Sequence, residues 1–178
     1  MRTLALFLAL SIASLSLLAQ PPMPRKAPEI TILEPSGKQT LLSSFKGKVV
    51  VLAFIMTTCP HCQAECGVLS KLQSELGSKG FQPLAIAIND PTGPLVTGFM
   101  QTFHPSFPVG YLPERQTVLD YLHVSDNDRW VVPQLVVIDR KGMIVAQSAP
   151  QGSEELQNED KMRKLLIDLL SPPKIGKS

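Results

Sequence analysis

The chain has 178 residues, 44% of them hydrophobic and 18% charged, with a formal net charge of +2. That composition suits a single globular core and excludes a largely disordered chain. So small a charge, with no Lys/Arg run interleaved with aromatic residues, argues against nucleic acid as a partner.

Thr3 to Ala19 carries no charged residue and follows Arg2, the pattern of a secretion signal. The stretch is short for a bilayer span, which needs about 20 residues. Ala19 suits the position before a cleavage site, whereas Leu17 is larger than usual at its place. Two readings stay open: residues 1–19 are a cleaved signal peptide or an uncleaved membrane anchor. Both put the domain outside the cytoplasm, in the periplasm or otherwise exported. Residues 20–26, with Pro21, Pro22 and Pro24, form a stiff lead-in to a domain expected over 27–170.

In that domain, Glu29–Leu33 and Gln39–Leu42 read as strands around a turn at Pro35-Ser36-Gly37. The unbroken apolar run Val49–Ile55 reads as a strand buried on both faces of a mixed or parallel sheet. From Pro60 to Ser78 the spacing predicts a helix, with Cys62, Cys66, Leu69, Leu72 and Leu76 on one stripe and Gly77 and Gly80 at its end. A strand at Pro83–Ile88 follows, closed by Asn89-Asp90-Pro91, and then a helix at Pro94–Phe103. A short strand at Phe107–Tyr111 and a helix at Arg115–Leu122 come next. Gln134–Asp139 and Met143–Ala146 read as a hairpin turning at Arg140-Lys141-Gly142. The last helix is expected over Glu154–Leu170, with Leu156, Met162, Leu165, Leu166 and Leu169 on one face. Pro172-Pro173 stops it, and residues 171–178 are expected to be a disordered tail. This order predicts an α/β fold with helices on both faces of a central sheet.

Cys59-Pro60-His61-Cys62 arrives where the Val49–Ile55 strand gives way to helix. Unpaired backbone N–H groups and the macrodipole favour negative charge at that place, which makes Cys59 the candidate nucleophile. Pro60 suits the first helical turn, where its missing N–H costs nothing. Cys62, about one turn further in, is the candidate resolving thiol, so the two form a redox-active disulfide. As a staple the pair would close too short a loop to stabilise much. His61 either tunes the Cys59 sulfur by a hydrogen bond or positive charge, or is an exposed polar residue of little influence. Cys66 is a buried small hydrophobe, a third thiol in a relay, or a metal ligand. With no second C-x-x-C and no His pair at ligand spacing, no metal and no other cofactor is expected.

The strand, the C-x-x-C at a helix start and the isolated Val132-Pro133 before a hairpin together resemble thioredoxin-like proteins. Within these, the chain is similar to the exported redoxin branch, the TlpA-like thiol–disulfide oxidoreductases. The matching stretches are Ser36-Gly37-Lys38 through Phe45-Lys46-Gly47-Lys48-Val49-Val50-Val51-Leu52, Cys59 through Glu65, and Pro133 through Gly142. The likeness covers about residues 27 to 170 and implies a thioredoxin-like fold with an N-terminal β-hairpin extension. It implies a cis Val132–Pro133 peptide facing the disulfide, and exchange with protein thiols or disulfides. Apocytochrome c or copper-site proteins are the implied substrates, with a membrane electron donor or acceptor; the chain itself is expected to be a monomer.

The chain also departs from that pattern. Thioredoxins place a buried acid six positions before the first cysteine, where this chain has Ala53, and a tryptophan just before the motif, where it has Thr58. Glu65 either substitutes as proton acceptor or is a solvated carboxylate on the helix face. Trp130 either rims a partner groove or packs over the sheet edge. Pro60-His61 and Val132 lean towards an oxidant, whereas many TlpA-like relatives are reductants. Two other functions compete. One is a peroxiredoxin-like peroxidase, for which Met56 stands where a Thr or Ser is usual. The other is a copper carrier using Cys59, Cys62, Cys66 or His61, since thiolates select Cu(I).

Overall fold

The structure is a computed structural model that describes residues 21–89 and 93–172. The signal or anchor segment at 1–19, the turn residues Asp90-Pro91 and the tail beyond Pro172 lie outside the described residues. Strands β1 (Arg25–Lys26), β2 (Thr31–Leu33), β3 (Gln39–Leu41), β4 (Val49–Ile55), β5 (Phe81–Ala87), β6 (Val109–Tyr111), β7 (Gln134–Ile138) and β8 (Met143–Gln147) form one sheet, in the order β1-β8-β7-β4-β5-β6-β2-β3. The helices are α1 (Pro60–Leu76), α2 (Pro94–Phe103), α3 (Arg115–Leu122), α4 (Glu154–Gln157) and α5 (Glu159–Leu170).

β4 sits near the centre, parallel to β5 and antiparallel to β7, and all seven of its residues are buried. Successive side chains on a strand point to opposite faces. Val49, Val51, Ala53 and Ile55 therefore join a core built with α1, α2 and α5. Val50, Leu52 and Phe54 join a second core with Val118, Tyr121 and Leu122 of α3. A run apolar at every position is what a strand sandwiched between two helical layers requires.

β5 begins at Phe81 and so contains Pro83, a residue that cannot donate to a sheet ladder. The N–H of Ala85 points towards β6 and donates to Pro108 O at 3.0 Å. Residue 83 points the same way, two residues before the β6 pairing begins at Ala85, so no ladder bond is lost there.

The β2–β3 hairpin extends the sheet from β6, through the antiparallel pairing of Leu33 with Tyr111. β1 pairs with β8 at the other edge. Gly110 is the residue that admits β2, because a Cβ there would lie 2.4 Å from the Leu33 carbonyl oxygen. A Gly110→Ala chain should lose about 2 kcal/mol or more in urea unfolding, since the obstruction is backbone and cannot swing aside.

The continuous final helix expected over Glu154–Leu170 is corrected. It breaks at Asn158, which has extended backbone angles (φ −80°, ψ 117°) and ends α4. Asn158 Oδ1 accepts from Lys161 N at 3.0 Å and so caps α5, as Ser153 Oγ does for α4 through Leu156 N at 3.2 Å. The apolar face survives the break, with Leu156, Met162, Leu166 and Leu170 buried and Leu165 and Leu169 packed against the same core.

Candidate functional site

The carboxyl end of β4 leads through Met56, Thr57 and Thr58 into Cys59, which is the N-cap of α1. Cys59 N donates to Met56 O at 3.1 Å, closing a tight turn, and Gln63 N donates to Cys59 O at 3.0 Å, the first bond of the helix. Pro60 occupies the opening turn. The Cys59 backbone is extended (φ −86°, ψ 118°), and its Sγ accepts the Cys62 N–H at 3.4 Å. An N–H that would otherwise lack an intrahelical partner thus points at the Cys59 sulfur.

The two cysteines differ in access. Cys59 is half-buried, whereas Cys62 is fully buried. Burial first, and then the hydrogen bond to Cys59, push the Cys62 thiol up to about 12. All three cysteines are unbridged thiols. One sulfur can therefore meet a partner, while the other can meet only the first.

Glu65 and Cys66 continue the inward stripe. Of the two readings of Glu65, the solvated one does not hold: the residue is 5% exposed, and its Oε1 has no hydrogen-bond partner. Burial raises its carboxyl from 4.5 to about 7. Cys66 is 2% exposed, and its thiol is pushed up to about 12 by burial and then by the Glu65 charge. Ala53 is fully buried, in the same core as Cys62 and Cys66.

The remaining sequence-derived residues are placed as follows. His61 and Thr58 are exposed. The hydrogen bond reaching Cys59 Sγ comes from Cys62 N rather than from the His61 imidazole. The Val132–Pro133 peptide is cis, and Val132 packs against the same core as Cys59. Trp130 packs instead against the α3 core, with the Arg115 guanidinium 6.0 Å from its ring centroid. Met56 is 37% and Val131 49% exposed, which leaves apolar surface on the segments leading to Cys59 and Pro133. Among the described residues, no group of three or more His, Cys, Asp or Glu could hold a metal ion.

Sequence reasoning missed two contributors. Thr57 is buried, and Asn89, two residues beyond β5, bonds to it twice: Thr57 N donates to Asn89 Oδ1 at 3.0 Å, and Asn89 Nδ2 donates to Thr57 Oγ1 at 3.1 Å. Their partnership follows from the β4–β5 register, which no local pattern encodes.

The chain resembles several known proteins. ResA, a thiol-disulfide oxidoreductase of Bacillus thuringiensis, is 26% identical over 141 residues, 79% of this chain and 77% of that protein. The thioredoxin-like protein YneN of Bacillus subtilis is 28% identical over 124 residues, 67% of each chain. Among solved structures, a putative protein disulfide isomerase from Bacteroides thetaiotaomicron is 26% identical with a TM-score of 0.69, covering 84% of this chain and 90% of that one. The thioredoxin domain of a Bacteroides vulgatus oxidoreductase, at 21% identity and a TM-score of 0.66, covers 85% of this chain and 98% of that domain. The architecture is thioredoxin-like, a mixed sheet with helices on both sides and added N-terminal strands. The Redoxin family model matches residues 24–166, a span running from the first strand into the last helix and including the Cys59–Cys62 turn, and the chain belongs to that family.

Proposed function

We propose that the protein is an exported thiol–disulfide oxidoreductase that exchanges disulfides with cysteines of other proteins through Cys59 and Cys62. The observation that carries this reading is the pairing of a half-buried sulfur at the α1 N-terminus with a buried thiol whose own N–H donates to it. In the reductive direction, the Cys59 thiolate attacks one sulfur of a partner disulfide. That S–S bond breaks, a mixed disulfide forms, and the released partner thiolate takes a proton. Cys62 then loses its proton and attacks Cys59 Sγ, which frees the second partner thiolate. The partner gains two electrons, and a Cys59–Cys62 disulfide remains. Oxidation of a dithiol partner runs the same steps backwards.

Glu65 is the proton acceptor for Cys62. It lies three residues further along the same buried stripe, and at about 7 its carboxyl can take a proton at neutral pH. Part of what holds the Cys62 proton is the neighbouring Cys59 sulfur, and that hold is lost once Cys59 is tied up in the mixed disulfide. The partner meets an apolar surface at Met56 and Val131, beside the Val132–Pro133 step. Apocytochrome c and copper-site cysteines, with a membrane electron donor or acceptor, are the partners this role would serve. Residues 1–19 supply the export signal or anchor.

Equilibrating the protein with glutathione redox buffers gives the direction of electron flow. A potential above about −150 mV identifies an oxidant, and one below about −220 mV a reductant. Failure of the reduced protein to open a peptide disulfide at any potential would overturn the role.

A further inference from the structure

We infer that Asn89 and Gln63 are positioning residues for the Cys59 nucleophile, acting together through Thr57. This rests on the exchange chemistry proposed above and adds residues to it. Thr57 stands two residues before Cys59 and is 6% exposed, so its polar groups need protein partners. Asn89 Oδ1 accepts from Thr57 N at 3.0 Å, Asn89 Nδ2 donates to Thr57 Oγ1 at 3.1 Å, and Gln63 Nε2 donates to Thr57 O at 2.9 Å. The backbone N–H, the carbonyl and the hydroxyl of one buried residue are thus all held by side chains.

These side chains come from different elements. Asn89 lies two residues beyond the end of β5, and Gln63 sits in the first turn of α1. The clamp therefore ties the sheet to the helix across the short loop that carries the nucleophile. Cys59 is reached from both ends of this clamp, because its N–H bonds to Met56 O at 3.1 Å and its carbonyl receives Gln63 N at 3.0 Å. The Cys62 N–H aimed at Cys59 Sγ depends on that turn staying in place. The position before Cys59 is the exposed Thr58, so the fixing contacts fall one residue earlier.

Removing a clamp partner leaves buried groups of Thr57 unpaired, and the loop must move to satisfy them. In Asn89→Ala, which removes both of its hydrogen bonds to Thr57, alkylation of Cys59 by iodoacetamide at pH 7 should slow about five- to thirtyfold. Thr57→Val keeps the shape and removes Oγ1, and should slow it less. Thr57→Ser keeps the hydroxyl and should restore the wild-type rate. Combining Asn89→Ala with Thr57→Val should give less than the product of the two single effects, because both break the same bond. If Asn89→Ala does not fold, the Thr57→Val and Thr57→Ser pair decides alone. The inference is overturned if the variants melt at lower temperature while Cys59 alkylates at the wild-type rate, or if the two substitutions act independently. Failure of wild-type Cys59 and Cys62 to bridge at all would instead strike the exchange chemistry and leave the clamp's effect on alkylation standing.

Discussion

Cys59→Ser is expected to abolish disulfide exchange, lowering turnover by at least about a thousandfold, while Cys62→Ser retains the first chemical step and stops at the second. The difference follows from access. Only Cys59 offers a sulfur to a partner, at the N-cap where Cys62 N–H points at it. A serine hydroxyl is a far poorer nucleophile towards sulfur at neutral pH, so nothing replaces it. In Cys62→Ser the mixed disulfide forms, but the sulfur that would resolve it from inside the core is missing. That chain should be recovered covalently joined to its partner on non-reducing gels, and the adduct should collapse on adding dithiothreitol. Stable adducts from Cys59→Ser, with none from Cys62→Ser, would reverse the two roles.

Glu65→Gln is expected to cut turnover by about a hundredfold, the usual size of a lost proton-transfer group, with the loss in the resolving step. Mixed disulfide should accumulate in this variant although both cysteines are present. The substitution should also change how stability depends on pH. The Glu65 carboxyl is raised from 4.5 to about 7, so between those values the folded chain holds a proton that the unfolded chain has released. Stability is therefore greatest below about 4.5, falls as pH rises through that window, and is level above it. The fall amounts to about 3 kcal/mol at most for this group. Glu65→Gln should flatten urea-derived stability between pH 5 and 8. An unchanged slope would show that Glu65 is not the group titrating there.

Much of the frame was legible because burial and chain punctuation coincide. β4 matches its predicted limits Val49–Ile55, since a seven-residue apolar run flanked by Lys48 and the Met56–Thr58 loop leaves no other register. α2 and α3 match at Pro94–Phe103 and Arg115–Leu122. The break at Asn158 was not legible, because the leucine spacing continues across it and only the cap geometry reveals it.

The site divides along the same line. The cysteine motif and its place at the start of a helix are local, so residue order conveys them. The charge of Glu65 left two readings open, although its spacing, three after Cys62 and four before Leu69, puts it on the buried stripe. Asn89 was beyond reach, since its contact with Thr57 depends on the parallel pairing that sets Ile55 opposite Ala87.

The most direct test counts free thiols by mass spectrometry after alkylation under denaturing conditions, along a glutathione redox titration. Three alkylated cysteines in the reduced limit and one, Cys66, in the oxidised limit, with a reversible two-electron transition between them, is the expected result. Three free thiols throughout, or an oxidised form in which Cys66 is bridged and Cys59 free, would contradict the account.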